Sequence, residues 1–379
     1  MIKKPFIPPK LPPKIDYVPL IKEIGGAREA LGELRGLLVN VPNFDLLASP
    51  LLTKEAVLSS QIEGTQATLE DVLKYEAEGK FSQDDRKERD IREILNYRRA
   101  IHLAIKELKK KPIGENFIKK LHFVLLDSVR GSNKDRGNLR RTQVYIAPPG
   151  TPIEKAIYIP PPTTELAGLL SNWEKYINSY QERDILVQIG IAHYQFEAIH
   201  PFMDGNGRIG RLLIPIFLYQ RKILPYPVLY ISGYFERHRR QYYDLLNRVS
   251  QKGDWESWLK FFLKAVRIQS QATAAIIYQT KFLYEKLKRD ISAVNSIYAV
   301  NLLDIIFAKP IITFASIKNK IKPKSHQTIY NLLEKFVKMK ILKPLPGRKR
   351  NKIYIFPQLL KILEETNNYN FVVKSKSIK

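Results

Sequence analysis

One stretch, His200-Pro201-Phe202-Met203-Asp204-Gly205-Asn206-Gly207-Arg208-Ile209-Gly210-Arg211, gathers a base, a carboxylate, glycines and two arginines within a few turns of chain. His200, with an ordinary pKa near ~6.5, can take a proton from an incoming hydroxyl. Asp204 offers a hard oxygen to a Mg2+ ion, which keeps most of its waters and bridges two phosphates. Gly205, Asn206 and Gly207 can each adopt positive φ, so successive backbone N–H groups can converge where a helix begins, a place that binds phosphate. Arg208 and Arg211 are three apart and share a helical face, so both guanidinium forks can close on one polyphosphate. Singly, each residue is ordinary: a histidine is usually packed or solvated, and arginines so spaced usually line a wet helix face. Their combination points to chemistry on a phosphate.

Two other readings of these residues fail on context. Gly205 to Gly210 satisfies G-x-G-x-x-G, but that fingerprint has meaning only after a strand in a βαβ unit, and here a helix precedes it. No G-x-x-x-x-G-K-S/T loop occurs anywhere in the chain.

The elements that must hold this site are mostly helical. Pro201 disfavours helical geometry at His200, and an apolar helical run opens near Arg208. Helical spacing recurs from Ala27 to about Lys110, then over Phe117 to Leu126, Leu166 to Tyr180 and Ile185 to Ile199. The one strong strand signal in the first 290 residues is Val144-Tyr145-Ile146 with Ile157-Tyr158-Ile159, a hairpin around a Pro- and Gly-rich loop. Pro5, Pro8, Pro9, Pro12 and Pro13 make the N-terminus an extended arm lying on the rest of the chain. Near the C-terminus, a helix from Thr313 to Ile321 precedes a second, capped by Ser325. In the second, Ile329, Leu332, Leu333, Phe336 and Val337 form one face and Gln327, Thr328, Asn331 and Lys335 the other. A hairpin with a basic tip, Arg348 to Lys352, follows, and the order is that of a winged helix-turn-helix.

Composition sets outer bounds. At 379 residues the chain is long enough for two or three domains. It has no cysteine, which removes disulfides, thiolate metal sites and a cysteine nucleophile and suits a reducing cytoplasm. The longest apolar run, Leu212 to Tyr219, falls far short of the ~20 residues needed to span a bilayer, so no membrane role is expected. Lys and Arg total 63 against 37 Asp and Glu, a formal +26 that attracts nucleotides, nucleic acid or acidic protein surfaces without choosing among them.

The stretch from His200 to Arg211 resembles the signature of the Fic family, usually written HPFx(D/E)GNGRxxR, and every specified position matches. The likeness extends over roughly residues 95–270. It implies a mainly α fold: a Fic-type helical bundle with a β-hairpin flap, followed here by the winged helix. It further implies a protein adenylyltransferase that moves AMP from ATP onto a Ser, Thr or Tyr hydroxyl of a target protein or of itself. His200 would deprotonate the hydroxyl, Asp204 would hold Mg2+, and Gly205 to Gly207 would form the anion hole. Asn206 would orient the α-phosphate, Arg208 and Arg211 would clamp the outer phosphates, and Ile209 and Gly210 lie within the same nucleotide-binding turn. The flap edge, Val144, Tyr145 and Ile146, would dock the target by strand addition. Tyr234 or Tyr242 is the candidate for stacking on adenine.

Ser59-Ser60-Gln61-Ile62-Glu63-Gly64 resembles the family's inhibitory motif (S/T)xxxE(G/N), in which Glu63 would pair with Arg211 and keep the γ-phosphate from seating. The expected domains are 1–94, the arm and helices with this motif; 95–270, the catalytic domain; 271–290, a helical linker; and 291–379, the winged helix with a basic tail. Partners admitted by this reading are a target protein, DNA and a second copy of the chain. Two alternatives stay open: a DNA-binding regulator acting through the winged helix, and a Fic enzyme that removes AMP or moves another nucleotidyl or phosphoryl group.

Overall fold

A computed structural model of the chain describes residues 4–39, 44–79, 85–129, 131, 133–148, 150–321, 325–346 and 351–365. The chain is mainly helical. Before the hairpin region lie α1 (Ile21–Val39), α2 (Phe44–Ile62), α3 (Leu69–Glu78), α4 (Asp85–Leu108) and α5 (Glu115–Leu125). The centre comprises α6 (Leu166–Asn178), α7 (Ile185–Ile199), α8 (Asn206–Gln220), α9 (Ser232–Arg237), α10 (Arg239–Lys252) and the long α11 (Trp255–Asp290). There follow α12 (Ala299–Ala308), β1 (Ile311–Thr313), α13 (Phe314–Ile321), α14 (His326–Lys338), β2 (Lys343–Pro344), β3 (Ile353–Ile355) and α15 (Pro357–Glu365).

Helix α7 is the hub, because its residues are apolar on nearly every side. Asp184 caps it by accepting from the amides of Leu186 and Val187 at 2.7 and 3.2 Å. Two indoles reach its backbone: Trp173 Nε1 donates to Ala192 O at 3.0 Å and Trp258 Nε1 to Gly190 O at 2.9 Å. A Cβ on Gly190 would lie 3.0 Å from both Leu259 and Phe262, so the glycine lets α7 and α11 cross closely. The fully buried Phe196, Ile199, Phe202, Ile209 and Leu212 then fix where α7 ends and α8 begins. Each such side chain contributes about 1.5–3 kcal/mol by leaving water.

The proline arm is extended and docked, as its composition predicts. Phe6 N donates to Ile159 O at 2.9 Å, Gln195 Nε2 to Pro9 O at 2.9 Å, and Asn172 bonds both backbone groups of Leu11. The expected hairpin is shorter than its sequence pattern. Ile146 and Tyr158 form a single bridge, and Val144 and Tyr145 have no ladder partner, because Gln143 Nε2 takes the Val144 carbonyl at 3.1 Å. Expected boundaries at 94/95 and 270/271 fall inside α4 and α11, whose amphipathic patterns run straight through them.

In the C-terminal part the strands pair antiparallel in the order β1-β3-β2, with Ile311 opposite Ile355 and Lys343 opposite Ile355. Strand β1 leaves no sequence signal, since Ile311 to Thr313 is too short for alternation to show. Ser325 caps α14 through Thr328 N, as expected. The hairpin-tip residues Gly347 to Arg350 lie outside the described residues. This C-terminal part packs on α2 and α3: Lys54 Nζ donates to Leu363 O at 2.5 Å, and Thr313 Oγ1 to Ala77 O at 3.1 Å. No helix among the described residues is long and apolar enough to cross a membrane.

Candidate active site

His200 ends α7 in a left-handed conformation (φ 50°), so the chain leaves the helix at once and turns through Pro201. Arg140, only 2% exposed, fastens this corner: its amide donates to Pro201 O at 2.9 Å, its Nε to His200 O at 2.9 Å and its Nη2 to Pro161 O at 2.5 Å. His200 Nδ1 lies 3.2 Å from Glu197 O, a carbonyl that can only accept, so Nδ1 carries the proton and Nε2 remains the base. Burial, opposed by that hydrogen bond, pushes the imidazole down to about 4, leaving it neutral near pH 7.

The turn ahead of α8 is positioned by a second histidine. His122 Nδ1 accepts from Gly137 N at 2.9 Å, so Nε2 holds the proton and donates to Asp204 O at 2.9 Å. Its ring stacks on Phe202 at 3.9 Å, and burial brings its pKa down to about 4. Only Gly205 of the glycine-rich turn has positive φ (79°), whereas Asn206 and Gly207 already lie in α8. The N–H groups therefore converge because a helix starts there.

Asn206 does not reach into the site. Its side chain is buried and bonds Phe202 twice at 2.8 Å, Oδ1 accepting from the amide and Nδ2 donating to the carbonyl, so it shapes the turn instead. Ile209 is likewise buried in the core and offers the site only its backbone. Gly210 makes room for Glu197, whose carboxyl would overlap a Cβ there. Burial pushes the Glu197 carboxyl up to about 7.

Both arginines come together from α8, and both are held by acids. Arg208 Nη1 bonds Glu93 Oε2 at 3.2 Å, and its Nη2 lies 3.7 Å from Asp204 Oδ1. Arg211 donates from Nε to Ser59 Oγ at 3.0 Å and from Nη2 to Ser59 O at 3.0 Å and Glu63 Oε1 at 2.7 Å. Burial pushes the Glu63 carboxyl up, but Arg211, then Arg208 and His200, more than offset it and hold it below the usual range. A Cβ at Gly207 would stand 2.5 Å from Glu63 Oε1, so that glycine lets the acid approach.

Asp204 Oδ1 accepts from Gly205 N at 2.6 Å, and Lys134 Nζ lies 3.6 Å from Oδ2. Among the described residues no cluster of three His, Asp or Glu could enclose a metal. One carboxylate beside an anion-collecting turn still suits Mg2+, which takes most of its other ligands from water and phosphate.

Tyr234 and Tyr242 go elsewhere. They are 3% and 1% exposed, Tyr234 stacked on His238 at 4.1 Å and Tyr242 bonded through its hydroxyl to His193 Nε2 at 2.9 Å. Neither ring offers a face, because both fill the aromatic core around Trp258. The neighbouring Tyr243 is 41% exposed on the same helix as Tyr242, and burial and then the Glu63 carboxylate push its hydroxyl up to about 12. Glu93, His122 and Tyr243 carried no sequence signal: each sits in an ordinary amphipathic helix, and only packing brings it here. On the flap, Tyr145 and Ile146 are 43% and 39% exposed.

A neutral imidazole thus lies next to a helix start that carries two arginines, an arrangement chemically able to accept a proton and to hold anionic groups. The Fic/DOC family N-terminal profile matches residues 21–106 and the Fic/DOC family profile residues 112–218, and the chain belongs to the Fic/DOC family. Among curated relatives, the protein adenylyltransferase Fic of Drosophila grimshawi is 30% identical over 165 residues, covering 41% of this chain and 31% of that protein. That of Culex quinquefasciatus is 36% identical over 129 residues, covering 33% and 22%. The match thus spans about a third or less of these relatives' length. A Fic family protein from Desulfovibrio desulfuricans G20 shares the fold at TM-score 0.57 and 19% identity, covering 91% of this chain and 98% of that one. C. elegans Fic-1 does so at TM-score 0.51 and 19% identity, covering 67% and 73%.

Proposed function

We propose that this protein transfers AMP from ATP to a hydroxyl side chain of a protein, and that Glu63 restrains it. The observation carrying this reading is the Arg211 guanidinium, buried at the start of α8 and tied to Glu63 at 2.7 Å: a phosphate clamp occupied by a carboxylate. The relatives' name, protein adenylyltransferase, points the same way. Once Glu63 withdraws, Arg208 and Arg211 receive the outer phosphates, and the amides opening α8 face the α-phosphate. His200 Nε2 takes the proton of the acceptor hydroxyl as its oxygen attacks α-phosphorus and pyrophosphate leaves. Asp204 would hold Mg2+, which neutralises phosphate charge when bound. Tyr145, 43% exposed at the centre of the flap segment Val144 to Ile146, supports docking of a target segment there, and Tyr243, 41% exposed, is the better candidate for the base. Intact-mass measurement of the Glu63→Gly chain with ATP, then with UTP, CTP and GTP, tests the reading: a gain of one AMP mass with ATP supports it, and no adduct with any nucleotide refutes it.

A second reading concerns α14, where Gln327 and Asn331 are exposed and bond each other at 2.8 Å beside Lys335 and Lys338. We read this part as a winged helix that meets DNA through that face, with lysines on phosphates. Lys335 Nζ already donates to Val294 O at 2.7 Å, which leaves Lys338 the more open of the two. Gel shifts of the full chain on random duplex should weaken steeply with salt, and absence of salt-sensitive retention would remove DNA from the account.

A further inference from the structure

The two phosphate-clamping arginines are held by acids of different kinds. Glu63 sits at the end of α2 with its side chain 29% exposed, so it can leave Arg211 for solvent. Glu93 lies in the middle of α4, its side chain 5% exposed against an Arg208 side chain 1% exposed. On α4, where Ile91, Ile94 and Tyr97 are buried in the core, it has no open solvent to withdraw into. Glu93 Oε2 also accepts from Thr65 Oγ1 at 3.3 Å, so its position is fixed from α4, α8 and the segment after the brake.

Glu93 engages Arg208 through Nη1, while the buried Nε has no partner among the described residues. A guanidinium has five N–H donors, and a counter-ion on one edge orients the plane while leaving donors for a ligand. We propose that Glu93 is a positioning residue of the nucleotide site: the resident counter-ion that neutralises and orients Arg208 in both the restrained and the released states, and so sets the grip on the outer phosphates. This rests on the AMP-transfer reading above. It separates the two acids by role, one displaceable and inhibitory, the other permanent and required.

The test uses full-length Glu63→Gly, in which the displaceable acid is gone, with and without Glu93→Gln, titrated calorimetrically with ATP-Mg and separately with AMP. Losing one charge-assisted contact predicts ATP affinity lower by about 10- to 100-fold, with AMP affinity unchanged because AMP lacks the outer phosphates. Transfer should show a matching rise in KM for ATP. Glu93→Asp, which keeps the charge but withdraws it by a methylene, gives the same selective loss to a smaller degree and serves if the glutamine variant folds poorly. Equal weakening of ATP and AMP would reduce Glu93 to a structural role and overturn the proposal. So would unchanged ATP affinity, or faster transfer by Glu93→Gln with Glu63 intact, which would make it a second brake. Failure of the underlying reading looks different: Glu63→Gly alone would neither bind ATP nor transfer AMP.

Discussion

On the proposed reading, replacing Glu63 with glycine removes a carboxylate that competes with phosphate for Arg211, and the geometry of the pair sets the size of the expected effect. The contact is one hydrogen bond of 2.7 Å between opposite charges. Two unit charges about 4 Å apart at an effective dielectric of about 20 attract by roughly 4 kcal/mol. Glu63 is 29% exposed and recovers hydration on leaving, so the net figure is nearer that of a hydrogen bond to a charged group, about 2–3 kcal/mol. At about 1.4 kcal/mol per tenfold, transfer should rise roughly 30- to 150-fold. Glu63→Gln keeps an acceptor but loses the charge, and should give a smaller rise, about tenfold. The assay is the initial rate of AMP incorporation at fixed ATP-Mg, followed by intact mass. A rise below about threefold in the glycine variant would show that the pair does not hold the enzyme back.

Other expectations follow from the same geometry. His200→Ala in the Glu63→Gly background should lower the transfer rate by at least about a hundredfold while calorimetric ATP affinity is retained, and loss of both together would deny the imidazole its role as base. His193 and His122 are buried neutral, with burial bringing their pKa values down to about 3 and 4. The unfolded chain, with histidines near ~6.5, binds more protons between those values, so stability rises with pH there and falls on acidification. Thermal melts from pH 7 to 4 should show that decline, and His193→Gln should flatten it. Gly190→Val would push a side chain into Leu259 and Phe262, each 3.0 Å from the added Cβ, and should cost about 1–3 kcal/mol in urea unfolding.

The elements around the site are legible in the sequence because their signals are local. An apolar run from Ile185 to Ile199, His-Pro at its end and a glycine before the next run specify α7, the turn and α8. The same locality explains where the side chains lie differently from what their pattern suggests. Val144 and Tyr145 have strand character, but pairing needs a partner across the loop, and Gln143 took the carbonyl first. Asn206 sits in the glycine-rich turn, yet its amide closes on Phe202, four residues back. Tyr234 and Tyr242 have the right chemistry for a base, but the aromatic core around Trp258 absorbed them.

Residue order alone therefore singled out the turn from His200 to Arg211 and the acid at Glu63 as candidates, since each motif lies within a few residues of chain. Folding decided what faces that turn. Glu93 from α4, His122 from α5 and Arg140 from the loop after it reach Arg208, Asp204 and His200 across 115, 82 and 60 residues. A contact at that separation leaves no trace in local spacing, because it depends on how buried helices share one core.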